Sequence, residues 1–149
     1  MLSGQSPFDW HFNGFNGVNV LRDAETFDEG QFSLRIEFAG NNNPDFRHVS
    51  QIVFVTPGRY RFEAHIRTAG ITSDQGVRFS IRGSGSNRLL AETDALTGTN
   101  SWRRTEAEVD VPAGITMAEV ALVRHRSIRI DNQLTGIAWI DAVKLTRLN

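Results

Sequence analysis

Apolar and polar residues alternate with a period of two along much of this chain. Phe32-Ser33-Leu34-Arg35-Ile36-Glu37-Phe38 puts its apolar residues on the even positions, and Tyr60-Arg61-Phe62-Glu63-Ala64-His65-Ile66-Arg67 does the same. Val77-Arg78-Phe79-Ser80-Ile81-Arg82 and Ala107-Glu108-Val109-Asp110-Val111 repeat the pattern on odd positions. Side chains leave a strand on alternate faces, so this pattern predicts strands with one buried and one polar side. A short strand is expected at Val18 to Leu21 and a last one at Ile137 to Leu145. Gln51 to Val55 and Val120 to Val123 are more uniformly apolar and read as central or bulged strands. A short helical turn is expected around Leu89 to Leu96.

Turn chemistry separates these segments: Asp28-Glu29-Gly30, Gly40 to Pro44, Thr56-Pro57-Gly58, Ser73 to Gly76, Gly83 to Asn87 and Pro112-Ala113-Gly114. Many short strands with no long amphipathic helix between them predict an all-β sandwich or barrel. The length of 149 residues suits one domain with one core, and no repeat or linker divides it, so residues 1–149 are read as one domain.

Composition narrows the function classes. A net charge of −1 gives no general pull toward nucleic acid or an anionic membrane. No apolar run approaches the roughly 20 residues of a membrane helix, so no membrane insertion is expected. The stretch Met1 to Pro7 lacks the charged and apolar regions of a signal peptide, which leaves a cytoplasmic domain or a piece of a longer secreted chain. With no cysteine, disulfides, thiolate metal sites and cysteine catalysis are excluded. Of the 16 basic residues only Lys144 is a lysine. Arginine forms paired, planar contacts to carboxylates and hydroxyls that lysine cannot copy.

Several phrases resemble those of jelly-roll carbohydrate-binding modules of the galactose-binding-like fold. They are Gly30-Gln31-Phe32-Ser33-Leu34-Arg35-Ile36; Val49 to Val55 followed by Pro57-Gly58-Arg59-Tyr60; Leu96-Thr97-Gly98-Thr99 with Trp102; and Gly136 to Leu145. They fall in the family's order from about residue 8 onward, and are similar to modules appended to bacterial tetratricopeptide-repeat proteins and glycoside hydrolases. The resemblance implies a two-sheet antiparallel β-sandwich, a carbohydrate partner, and an extracytoplasmic or secreted place within a larger multidomain chain. It also implies a polar groove on a concave sheet, built from Gln51, Arg78, Arg82 and Arg124. It further implies a structural calcium at Asp141, with Asp28 as the other side-chain ligand. The start of the chain departs from the family's Asn-Gly-x-Phe-Glu strand, which removes one common calcium ligand.

Sugar rings also need an aromatic platform. Trp10 is one candidate. Phe46, in the Asn- and Pro-containing loop just before His48, is another, and His48 joins the ligand-binding set. Trp102 and Trp139 are expected in the core. Glu106, Glu108 and Asp110 share one face of a strand and read as a solvated edge. No nucleophile elbow, phosphate loop or His-Glu-x-x-His helix occurs, and the four His lack metal-ligand spacing. The expected function is therefore a non-catalytic carbohydrate-binding module. The alternative is a structural or protein-interaction domain of a larger bacterial envelope or polysaccharide-export protein, and a hydrolase or lyase ranks last.

Overall fold

The computed structural model describes residues 10–12, 17–30, 32–39, 46–72, 74–86, 88–128 and 133–148. Among them there is no helix. The strands are β1 (His11–Phe12), β2 (Val18–Asp23), β3 (Ser33–Ala39), β4 (Phe46–Phe54), β5 (Gly58–Ile71), β6 (Val77–Gly83), β7 (Leu89–Glu92), β8 (Gly98–Val111), β9 (Met117–Arg124) and β10 (Thr135–Arg147). They form two antiparallel sheets, ordered β1-β4-β9-β6-β7 and β2-β3-β10-β5-β8. The chain crosses repeatedly from one sheet to the other, which is the jelly-roll arrangement of a β-sandwich. The turn expected at Gly40 to Pro44 lies outside the described residues.

The period-two pattern decides what is buried. Leu34, Ile36 and Phe38 of β3 and Tyr60, Phe62, Ala64 and Ile66 of β5 meet Val77, Phe79 and Ile81 of β6 in one core. Two ring pairs bridge the sheets. Phe62 and Phe79 stand 5.1 Å apart, and Phe38 meets Phe46 edge to face at 5.7 Å. Burying one such ring stabilises the fold by about 2–3 kcal/mol relative to exposing it.

One expectation fails for a local reason. The segment expected as a helical turn holds β7 instead, because backbone partners on β6 capture it. Thr93 bonds Phe79 through both its N–H and its hydroxyl, and Leu96 exchanges two backbone bonds with Val77. Gly76 permits this approach, since a Cβ there would lie 2.0 Å from the Leu96 carbonyl oxygen. Trp139 is buried as expected, but on the outer side of its strand. In β10, Ala138 and Ile140 face the core, so Trp139 between them points away from it. It is buried all the same, with Arg67 over its ring at 5.3 Å and its indole N–H donated to Asp23 at 2.9 Å. Trp102 is half-buried and also lies outside the core.

A bulge between Asp141 and Lys144, with Ala142 at φ 52°, then shifts the parity of β10 so that Val143 returns to the core.

Candidate functional site

Pairing register sorts the outer face of the β1-β4-β9-β6-β7 sheet into rows that run across the strands. The central row is His11, Ser50, Ala121, Ser80 and Glu92, one residue from each strand. Five strands at about 4.8 Å spacing make this row roughly 19 Å long. Its three middle members are small, so it forms a shallow valley. One wall is the row Ile52, Glu119, Arg82 and Leu89; the other holds Val123 and Arg78. Arg78 and Arg82 are four positions apart on β6, so roughly 13 Å separates their Cα atoms, with Ser80 midway. Beside Arg82 and Glu119 the turn at Ser84 and Gly85 encloses a polar depression of about 110 Å³. Phe54, 70% exposed, lies on the same face beyond Ile52.

At the β7 end of the valley stands a fixed polar cluster. Arg78 Nη1 donates to Glu92 Oε1 at 3.1 Å, and His125 Nε2 lies 3.2 Å from Glu92 Oε2. Ser80, register partner of Glu92, is only 1% exposed. Its hydroxyl has no hydrogen-bond partner among the described residues, and neither has Nε of Arg78. A buried donor without a partner costs about 1–3 kcal/mol, so this valley holds polar valency that the chain itself leaves unused.

Of the residues expected in the groove, Arg78 and Arg82 line this face. Gln51 does not. It pairs with Val120 of the core row and is fully buried between the sheets, while its neighbour Ser50 takes the valley position. The apolar run of β4 carries no alternation to set its parity, and a slip of one residue exchanges the two faces. Arg124 shares a row with Phe46 and Val77 at the end of the core, fully buried, and its Nε donates to the Gln75 carbonyl at 3.0 Å. Phe46 is itself core and offers no platform. Trp10 is half-buried against the core, where hydrophobic burial outcompetes exposure, and its indole N–H has no partner among the described residues. The side chain of His48 lies outside the described residues.

The calcium ligands expected at Asp141 and Asp28 serve other partners. Asp141 Oδ2 accepts the N–H groups of Asp28 at 2.9 Å and Glu29 at 2.8 Å, and its Oδ1 accepts that of Ala142 at 2.8 Å. The Asp28 carboxylate turns to His65 Nδ1. Calcium needs six to eight oxygens, and N–H donors aimed at both carboxylate oxygens stand where a cation would have to be. Among the described residues no three His, Asp or Glu side chains gather where they could hold a metal. Through these bonds Asp141 acts as a cap on the loop before β3.

Sequence reasoning missed Asp23, which holds the other side of that loop. Its Oδ1 accepts the N–H groups of Glu25 and Thr26, both at 2.9 Å, and Oδ2 accepts the Trp139 indole. The Thr26 bond, then the Trp139 bond, lower its pKa to about 2 against the opposing effect of burial; Glu25 and Arg35 add to the lowering. Also missed were Glu92, hidden in the segment read as helical, and Ser50, hidden by the parity slip.

No protein-family model and no curated protein sequence matches the chain. Solved structures do. The C-terminal family 22 carbohydrate-binding module of Clostridium thermocellum Xyn10B, described for its cleft residues in ligand binding, is 18% identical, with a TM-score of 0.62 over 97% of this chain and 87% of that one. TmCBM61, in complex with β-1,4-galactotriose, is 19% identical, with a TM-score of 0.56 over 96% and 90%. The N-terminal CBM22-1–GH10 modules of Clostridium thermocellum Xyn10B, in complex with xylohexaose, are 14% identical, with a TM-score of 0.59 over 94% of this chain and 26% of that longer one. At 14–19% identity these likenesses show the shared fold, the jelly-roll sandwich of carbohydrate-binding modules.

Proposed function

We propose that the chain is a non-catalytic carbohydrate-binding module whose glycan lies along the valley of the β1-β4-β9-β6-β7 sheet, crossing its strands. The observation that carries this reading is the central row itself. Small side chains form a floor between two walls, and a buried serine hydroxyl on that floor has no partner among the described residues. A sugar is dense in hydroxyls that donate and accept, which is what such a floor lacks. Arg78 and Arg82 supply donors from the walls. The fold supports the reading, because TmCBM61, solved in complex with β-1,4-galactotriose, shares it. The same likeness supports a place in a larger enzyme, since the Xyn10B structure carries such a module beside a catalytic one.

The test is a glycan-array screen of the folded domain, in calcium and again in chelator, with an assay for released reducing ends. Reproducible retention of one glycan class, indifferent to chelator and without release of reducing ends, is expected. Silence across the array from a demonstrably folded protein would overturn the reading in favour of protein docking, and release of reducing ends would make the chain an enzyme.

A further inference from the structure

Resting on that reading, we propose that Glu92, Arg78, His125 and Ser80 form a vicinal-diol subsite closing the β7 end of the valley, and that the glycan it accepts is neutral. Each group has a stated capacity to spare. A carboxylate offers about four acceptor positions, and Glu92 uses one oxygen on Arg78 and the other beside His125. A guanidinium carries five N–H donors, and among the described residues Arg78 engages Nη1 alone, on Glu92. An acceptor and a donor locked side by side match two adjacent hydroxyls, each of which both donates and accepts. Ser80 adds a third group from the floor, buried and unpartnered beneath them.

The ion pair also decides the charge of the ligand. Arg78 is already balanced by Glu92, so a uronate or sulfate arriving here gains little from the guanidinium and meets the carboxylate. Glu92 and Arg78 are each about a fifth exposed, at 22%, which leaves them reachable yet fixed in position. A site already held in its bound geometry loses little further freedom on binding.

Affinity electrophoresis and calorimetry test this on a neutral panel (xylan, β-1,4-galactan, β-glucan, mannan) and an acidic one (polygalacturonate, alginate). The native protein is expected to bind a neutral member and not the acidic ones. Glu92→Gln keeps the shape but removes the charged acceptor, and is expected to weaken that binding about tenfold or more. Ser80→Ala separates ligand contact from structure. It removes a buried hydroxyl that has no partner among the described residues, so thermal stability holds or rises while affinity falls about two- to tenfold. Unchanged affinity in both variants, or preference for an acidic polymer that Glu92→Gln strengthens, would overturn the subsite while leaving the carbohydrate reading intact. Retention of neither panel by the folded native protein would defeat the carbohydrate reading itself, and the subsite with it.

Discussion

On the outer face of the β2-β3-β10-β5-β8 sheet, Arg59 reaches Glu108 at 2.7 Å and Arg104 reaches both Glu63 and Glu106 at about 3 Å. Arg35 lies between Asp23 and Glu37, and Arg67 covers Trp139. Every long side chain named there has a partner on the same face. On the outer face of the β1-β4-β9-β6-β7 sheet the central row is short, and the Ser80 hydroxyl and Nε of Arg78 are buried without partners among the described residues. Both faces come from the same alternation of apolar and polar positions. Among the described residues each face leaves an arginine Nε buried without a partner, Arg35 on the first and Arg78 on the second, and the second adds the buried hydroxyl of Ser80 as a reserve that the first does not match. Buried polar groups are normally satisfied, so the reserve points to a ligand, whereas a charged, self-paired sheet repels contact and keeps its β8 edge from pairing with other chains.

The largest expected effect comes from blocking one face and not the other. Ser50→Leu raises the valley floor where it crosses β4, and is expected to weaken glycan binding at least tenfold, which is about 1.4 kcal/mol. Arg61→Leu puts the same bulk on the opposite sheet, beside Glu108 in register, and is expected to leave binding unchanged. Both variants should melt near the native temperature, because each site is on an outer face. Binding that falls with Arg61→Leu and survives Ser50→Leu would reverse the assignment of the two faces.

The inner faces of β3, β5 and β6 were legible residue by residue. Phe62 and Phe79 sit where strict alternation placed them, because a strand whose polar residues recur every second position has one choice of inner face. The valley was only half legible. Arg78, Ser80 and Arg82 were readable from that same alternation, but β4 is apolar on both sides of Gln51, so nothing local told Ser50 from Gln51; only pairing with β9 does. The pair of walls depends on registers among non-neighbouring strands, which sequence spacing does not carry. Nothing in the sequence marks Asp23, and Asp141 reads as a calcium ligand through the family resemblance, because both hold backbone N–H groups, which every residue has.

Acid sharpens the comparison next, because the self-paired face has a titratable anchor. The folded-state pKa of Asp23 is about 2, against 3.8 when unperturbed. A depressed carboxylate pKa stabilises the fold above the unfolded value and loses that contribution as pH falls through the folded one. A shift of this size is worth about 2 kcal/mol, lost between about pH 4 and pH 2. Chemical denaturation of the native protein across that window, compared with Asp23→Asn, should show the difference. The variant starts less stable near neutral pH and loses less on acidification. Equal acid slopes in the two proteins would mean that Asp23 does not hold the loop as an anion.

The smallest expected effect lies among the exposed ion pairs of the same sheet. Arg59 and its partners Glu108 and Asp110 have more than half of their side-chain surface in water. Water screens such pairs, and holding two long side chains together costs rotamer freedom, so each contributes little. Arg59→Ala is expected to change stability by within about 0.5 kcal/mol, against about 2 kcal/mol for the buried Asp23 anchor, as measured by urea titration. The dense ladder of charges is thus a matter of surface chemistry more than of stability. If Arg59→Ala were to cost as much as the loss of the Asp23 anchor, the paired face would be a structural brace.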